Sequence, residues 1–234
     1  VVQVADNQWH AIADDLVVGR GYASRRLDGR VFVSVDTWQD SVFDQLAAAM
    51  VVERPVYTVV DEADHDLTAN WRRAGFEVWR REVELVVPTG APPVEPPPGV
   101  TITADVAEDE LRELDQRIRS EVDWRTMPAE VLPWQGGTRP LEPANYTVAV
   151  KDGRYVGMIR LATRTRRPRI GLVAVLAVER RQGIARALLG HALAGLRRAG
   201  FEAATAEVDE TNTAALALFK SAHRTGGAVE LERV

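Results

Sequence analysis

The sequence predicts a mixed α/β fold, an α+β mixed sheet, in two halves, each a mostly antiparallel twisted sheet flanked by helices. Three observations carry this. The 234 residues are 46% apolar, enough to bury a substantial core in one large domain or two small ones. The segment Pro88-Thr-Gly-Ala-Pro-Pro-Val-Glu-Pro-Pro-Pro-Gly99 places six prolines and two glycines within twelve residues, which forbids helix and central strand. Downstream of it, strand-like and helix-like periodicities alternate. The segment 88–99 reads as a semi-rigid spacer between 1–87 and 100–234.

Taken in order, Val100-Thr-Ile-Thr103 predicts a short strand. Val106 to Arg119 predicts an amphipathic helix with Leu111, Leu114 and Ile118 on one face. A polar stretch containing Trp124, Pro128, Pro133 and Trp134 follows. Tyr146–Val150 and Tyr155–Ala162 form a hairpin across Lys151-Asp-Gly-Arg154, whose Asp-Gly suits a tight turn. Ile170–Ala177 is a nearly continuous apolar strand, which implies burial on both faces. Helices over Ile184–Ala199, closing at Gly200, and Thr213–Ala222 flank a strand over Ala203–Val208, and Ala228–Leu231 completes the order β, α, β, β, β, α, β, α, β.

The first half repeats part of this pattern. Ala11-Ile-Ala-Asp14 and Val18-Gly19 match Ala149-Val-Lys-Asp152 and Val156-Gly157 at an offset of 138, and Asp61-Glu62 and Ala74 match Asp209-Glu210 and Ala222 at 148. The first half is then expected to begin at its hairpin, without a counterpart of the first strand and helices. Val33-Ser-Val35 is its equivalent of the apolar strand. Trp71 and Trp79 are expected in its core.

Composition excludes several classes of function. A formal charge of −5 gives no basic footprint for nucleic acid. The absence of cysteine excludes disulfides, thiolate metal sites and an acyl-thiol intermediate on the protein. His10, His65, His191 and His223 show no metal-ligand spacing, so no metal is expected. Neither a long apolar run nor a charged-then-apolar leader is present, and a cytoplasmic protein without a membrane partner is the expectation.

The chemistry concentrates in Val175-Leu-Ala-Val-Glu-Arg180-Arg-Gln-Gly183-Ile-Ala185-Arg-Ala-Leu-Leu189. A strand end, a cationic turn with a glycine and an apolar helix follow one another. Unpaired N–H groups and the dipole at a helix N-terminus favour an anion, Gly183 permits close approach, Ala185 leaves room, and Arg180, Arg181 and Arg186 add charge. A diphosphate is the natural guest.

In these residues and in the element order, 100–234 resembles the GNAT superfamily of acetyl-CoA-dependent N-acetyltransferases. Their loop reads Arg/Gln-x-x-Gly-x-Gly/Ala, matched by Arg180, Gly183 and Ala185. The longer pattern Val-x-Pro-x-x-Arg-x-x-Gly-x-Ala is matched from Val175, with Ala177 in place of proline. The resemblance implies a strand splayed from its neighbour, with Val173, Ala174 and Val175 pairing the pantetheine arm as an added strand would. Diphosphate would rest on Arg181, Gln182, Gly183, Ile184, Ala185 and Arg186. Asn212 matches a pantetheine-contacting Asn of the family and is also an ordinary helix N-cap.

Transfer to an amine needs a base, a stabilised oxyanion and a proton for the departing thiolate. Glu207, the one carboxylate in Ala203–Val208, is the candidate base. Burial would raise its pKa, and the family's base glutamate in ribosomal-protein alanine acetyltransferases has the same spacing to the Asn. A solvent-facing strand residue is the other reading. The family often places an acid tyrosine where this chain has Phe219, which can pack against the cofactor but cannot donate a proton. Tyr146 and Tyr155 are substitutes. The usual Gly-Phe after this helix is His223-Arg224 here, whereas Gly75-Phe76 keeps it in the first half.

Acceptor recognition falls to 121–142, where acidic Glu121, Asp123 and Glu142 with Trp124 and Trp134 could hold a cationic amine. In the first half, Asp40-Ser-Val-Phe43 and Gln45 stand in place of the loop, and a degenerate, non-catalytic repeat is expected. The expected activity is acetylation of a primary amine, more a small molecule's than a protein's N-terminus or lysine. A non-catalytic acyl-CoA-binding regulatory module and a structural scaffold are the alternatives.

Overall fold

The structure is a computed structural model that describes the chain apart from residues 51, 93, 124–126, 128–140 and 164–166. Trp124, Pro128, Pro133 and Trp134 therefore lie outside the described residues. The described residues form two compact units, one within 1–82 and 226–234, the other within 83–123, 127 and 141–225. This division departs from the sequence expectation in two ways. It falls between Glu82 and Val83, inside a strand, and the last nine residues belong with the first unit.

The first unit contains β1 (Val2–Ala5), β2 (Gln8–Ala13), β3 (Leu16–Arg25), β4 (Val31–Thr37), α1 (Asp40–Ala49), β5 (Val56–Asp61), α2 (His65–Arg73) and the start of β6 (Glu77–Pro88). Its strands run β1-β2-β3-β4-β5, followed by the end of β12 (His223–Arg233). β4 and β5 are parallel, and β1–β2, β2–β3, β3–β4 and β5–β12 are antiparallel. Trp71 is fully buried, edge-on to Phe43 at 4.9 Å and to Phe76 at 4.8 Å. Burying such a side chain contributes about 1.5–3 kcal/mol. α1 buries Val42, Phe43, Leu46 and Ala47, the i, i+3, i+4 stripe of an amphipathic helix.

The second unit contains the end of β6, β7 (Val100–Thr103), α3 (Glu108–Glu121), β8 (Tyr146–Lys151), β9 (Arg154–Ala162), β10 (Arg169–Val175), α4 (Ile184–Arg198), β11 (Ala203–Asp209) and α5 (Thr213–Leu218). Its strands run β11-β10-β9-β8-β7, with β10 and β11 parallel and the others antiparallel. α4 buries Ile184, Ala187, Leu188, Ala192, Leu193 and Leu196. It ends in a Schellman motif, with Gly200 at φ 88° and the Phe201 N–H donating to the Leu196 carbonyl. α5 ends at Leu218 with Phe219 as its C-cap, short of the expected Ala222.

The proline-rich segment is not a free spacer. Its Thr89 hydroxyl donates to the Phe201 carbonyl at 2.7 Å. A Cβ on Gly190 of α4 would come within 3.2 Å of Val94.

The two hairpins share a backbone design. Asp14 and Asp15 (φ 49° and 62°) turn the first, and Asp152 and Gly153 (φ 49° and 71°) the second, the two positive φ values that a tight hairpin turn requires. Each carries a register shift at the same step, after Ala11 and after Ala149, leaving Ala11 opposite Gly19 and Ala149 opposite Gly157. Both glycines admit a helix. A Cβ on Gly19 would come within 2.9 Å of Leu46, and one on Gly157 within 3.3 Å of Leu188.

The register also corrects two expectations. Gly19 faces Thr37 where Gly157 faces Val175, so Val35–Thr37, not Val33–Val35, occupies the place of Val173–Val175. The edge place beside β2 is filled by β1, as β7 fills it beside β8, although no helix separates β1 from β2.

Candidate active site

β10 pairs with β11 only at Arg169↔Thr205 and Ile170↔Ala206, whereas its pairing with β9 continues to Val175↔Gly157. The two parallel strands fork beyond Ile170. Leu176 N–H donates to the Val156 carbonyl of β9. Because backbone groups alternate sides along a strand, those of Val173 and Val175 point to the open side of the fork. Val173, Ala174 and Val175 lie in this splayed stretch.

A 3₁₀ turn over Ala177–Glu179 then leads to Arg180, to Arg181 at φ 67° and to Gly183 at φ 92°. Left-handed backbone at Gly183 carries no steric cost, and nothing lies within 4 Å of where its Cβ would be. Gly183 is the N-cap of α4 without a side-chain cap, and its carbonyl accepts from the Ala187 N–H. The N–H groups of Ile184, Ala185 and Arg186 thus form the unpaired start of the helix. Arg181, Gln182 and Arg186 are exposed beside it.

Arg180 departs from expectation. Its Nε donates to the Val175 carbonyl at 2.9 Å and its Nη2 lies 3.4 Å from Glu121 Oε2, so the guanidinium braces the strand end instead of extending over the helix start. Lys151, at the hairpin tip, was not anticipated. Its ammonium donates to Glu179 at 2.7 Å and to Gln182 at 3.3 Å. The Lys151 hydrogen bond holds the Glu179 carboxyl below its ordinary range, against a smaller opposing effect of desolvation. A single lysine in a turn sequence carries no sign of this role, since the contact joins residues 28 apart.

Glu207 directly follows Ala206, the last residue paired across the fork. It is not buried as expected. The side chain is 39% exposed and Oε2 accepts from Arg169 Nη2 at 2.6 Å. The burial expected around it is absent. The physical reason is strand alternation, which buries Ala204, Ala206 and Val208 and turns Glu207 outward.

Asn212 caps α5, its Oδ1 accepting from Ala215 N–H at 3.0 Å. Phe219 is 6% exposed within the second unit's core, which removes it from any exposed cofactor surface. Tyr146 is buried, and the Tyr155 hydroxyl accepts from Ala107 N–H at 3.0 Å, ahead of α3. Among the acceptor candidates, Glu121 is engaged by Ala177 N–H at 2.8 Å as well as by Arg180. Glu142 accepts from Asn145 in a local turn at the other end of β8 from Lys151. Asp123 is exposed, and Trp124 lies outside the described residues.

In the first unit, β4 and β5 also fork after two pairs, Val31↔Val56 and Phe32↔Tyr57. Only Trp38 and Gln39 connect β4 to α1, where Leu176 to Gly183 connect β10 to α4. The loop is shortened, not obstructed: Phe43 faces the core at 2% exposure.

The acetyltransferase (GNAT) family matches residues 108–223. No curated protein matches the chain. A GCN5-related N-acetyltransferase from Sphaerobacter thermophilus is similar in structure, with a TM-score of 0.73 at 18% identity over 99% of this chain and 82% of that one. One from Kribbella flavida has a TM-score of 0.63 at 17% identity over 97% and 90% of the two chains. A tandem GNAT protein from the clavulanic acid biosynthesis pathway has a TM-score of 0.63 at 15% identity over 96% and 81%. The family match and the forked strand leading to an uncapped helix N-terminus agree, and the chain is an acyltransferase of the GNAT type.

Proposed function

We propose that the second unit binds acetyl-CoA and transfers its acetyl group directly to the primary amine of a small molecule. The observation that carries this reading is the continuity of the open β10 edge with the N-terminus of α4. The backbone of Val173 and Val175 suits an amide-bearing arm laid along the strand. The N–H groups of Ile184, Ala185 and Arg186, with the Arg181 and Arg186 guanidiniums, suit a diphosphate. Arg180 and Lys151 shape this loop from behind, and Asn212 stays at the mouth of the fork as the cap of α5.

The bound thioester supplies the acyl carbon: the amine nitrogen bonds to it as the carbon–sulfur bond breaks, the amine loses a proton and the thiolate gains one. Glu207, at the fork, is the proposed base that takes the amine proton, and Val173 N–H is placed to donate to the developing oxyanion. With Phe219 in the core and Tyr155 engaged at Ala107, the thiolate is protonated from solvent. Met127 packs against Val122 and against Leu172 of β10, which narrows the approach and favours a small acceptor over a protein surface. The short Trp38–Gln39 connection supports a first unit that is a degenerate repeat without a diphosphate loop.

Calorimetry with acetyl-CoA on the intact protein tests the donor site, and amine-dependent release of free CoA across an acceptor panel tests catalysis. Binding without release by any amine would favour the regulatory-module reading, for which the core position of Phe219 is the supporting observation. No binding would sink both. No helix among the described residues is long and apolar enough to cross a membrane.

A further inference from the structure

Ala177 opens the 3₁₀ turn after β10, and its N–H is one of the donors that the start of any helical turn leaves without a partner in the turn itself. A proline at this place would remove that donor. The local backbone suits one: the preceding residue, Leu176, sits at φ −51°, ψ 141°, the extended conformation that a residue before proline adopts. The chain has Ala instead and answers the donor from a distance, with Glu121 Oε2 accepting from Ala177 N–H at 2.8 Å across 56 positions of sequence.

The same oxygen faces Arg180 Nη2 at 3.4 Å, and Arg180 Nε holds the Val175 carbonyl at 2.9 Å. One carboxylate therefore fixes both ends of the turn that carries the chain from the open strand edge to the start of α4. Glu121 is also the last residue of α3, immediately before Val122, which packs on Met127 as does Leu172 of the same strand.

We propose that Glu121 is a positioning residue for the acyl-CoA site. It substitutes for a proline at 177 and holds the strand edge and the helix N-terminus in register with each other, and it does not bind the acceptor amine. This rests on the acetyl-CoA reading of the site. The requirement for Glu121 comes from the N–H of Ala177, so abolishing that N–H should relieve part of it.

The experiment is a cycle of Glu121→Ala, Ala177→Pro and the double variant. It is read by calorimetry with acetyl-CoA and by hydrogen exchange at the Ala177 amide where that amide exists. Loss of one or two hydrogen bonds predicts an acetyl-CoA Kd about three- to tenfold weaker in Glu121→Ala, with faster exchange at Ala177. In the double variant, where the ring Cδ no longer meets the Glu121 carboxylate, proline should recover at least half of the lost affinity on a logarithmic scale. Glu121→Gln, which keeps a neutral acceptor for Ala177 but not the charge for Arg180, should fall between wild type and Glu121→Ala.

A general loss of folding would lower the melting temperature without being reversed by a proline. Equal binding by wild type and Glu121→Ala, or failure of Ala177→Pro to restore any affinity, would overturn the proposal while leaving the donor site intact. Absence of acetyl-CoA binding by wild type with slow exchange at Ala177 would instead remove the donor-site reading, and the positioning role with it.

Discussion

Arg169 and Glu207 are joined across β10 and β11 by an ion pair of 2.6 Å, one residue past the last step of the ladder on the Glu207 side. The pair closes the base of the fork. Its partial exposure, 33% and 39% for the two side chains, makes it a weak contributor to stability, since exposed pairs are worth about 0–1 kcal/mol. Its importance is the place where it holds a carboxylate. Glu207→Gln should lower kcat by about 10²–10⁴, the usual contribution of a general base, with the acetyl-CoA Kd unchanged. Steady-state kinetics with an accepted amine checks this, and unchanged turnover would remove Glu207 from the mechanism.

Gly183 precedes the helix start at φ 92° with open space where a side chain would be. Substitution by alanine meets no clash, so its effect is conformational. Left-handed backbone costs a non-glycine residue about 1–2 kcal/mol. Gly183→Ala should weaken acetyl-CoA binding through this local cost with little change in acceptor KM. Equal binding by calorimetry would show that the loop does not need this conformation.

The site was legible where local chemistry writes it. Gly183 before the apolar face of α4, the apolar run Ile170–Val175 of β10 and the Asp152-Gly153 turn each depend on a few adjacent residues, and each element lies within about two residues of expectation. The roles of Arg180, Glu121 and Lys151 depend on partners far along the chain, and a cation in a phosphate-loop pattern reads the same whether it faces the ligand or braces the strand behind it. Glu207 shows a subtler failure. Its apolar neighbours suggested burial, but period-two alternation exposes a residue between two buried ones. The β12 assignment was hidden for a topological reason: nothing in residues 226–234 says that their partner strand is β5, 165 or more positions earlier.

Glu179 is held below its ordinary range by the hydrogen bond from Lys151. A depressed carboxyl contributes order above its unfolded pKa and loses it as pH falls through the folded value. The tether among Lys151, Glu179 and Gln182 is therefore complete at neutral pH and released only in acid, below the ordinary carboxylate range. Side-chain carboxyl NMR should show Glu179 titrating below free glutamate in wild type and moving up in Lys151→Met. An unchanged midpoint would mean that Lys151 does not hold the loop.

The first unit offers the opposite sign. Glu230 and Arg30 are about nine-tenths buried and meet at 2.5 Å, with Asp28 on the far side of the guanidinium at 2.9 Å. The Arg30 guanidinium also lies 5.0 Å from the ring centre of Phe32 and 5.2 Å from that of Tyr57. Burial is the largest influence on Glu230 and pushes its carboxyl above the ordinary value, outweighing the opposing charge of Arg30. A raised folded pKa means that the fold prefers the protonated acid, so this stabilisation is present below the unfolded pKa and is lost as pH rises through the folded value. Glu230→Gln, which resembles the protonated acid, should flatten the stability–pH curve in that window and be at least as stable as wild type at neutral pH. Arg30→Met should behave differently, because it leaves an ionised carboxylate buried without its partner, a change that costs about 3–5 kcal/mol. Urea unfolding of the two variants across pH 4–8 separates these expectations. Equal destabilisation at neutral pH would show that the attraction between the charges, not their desolvation, governs the pair.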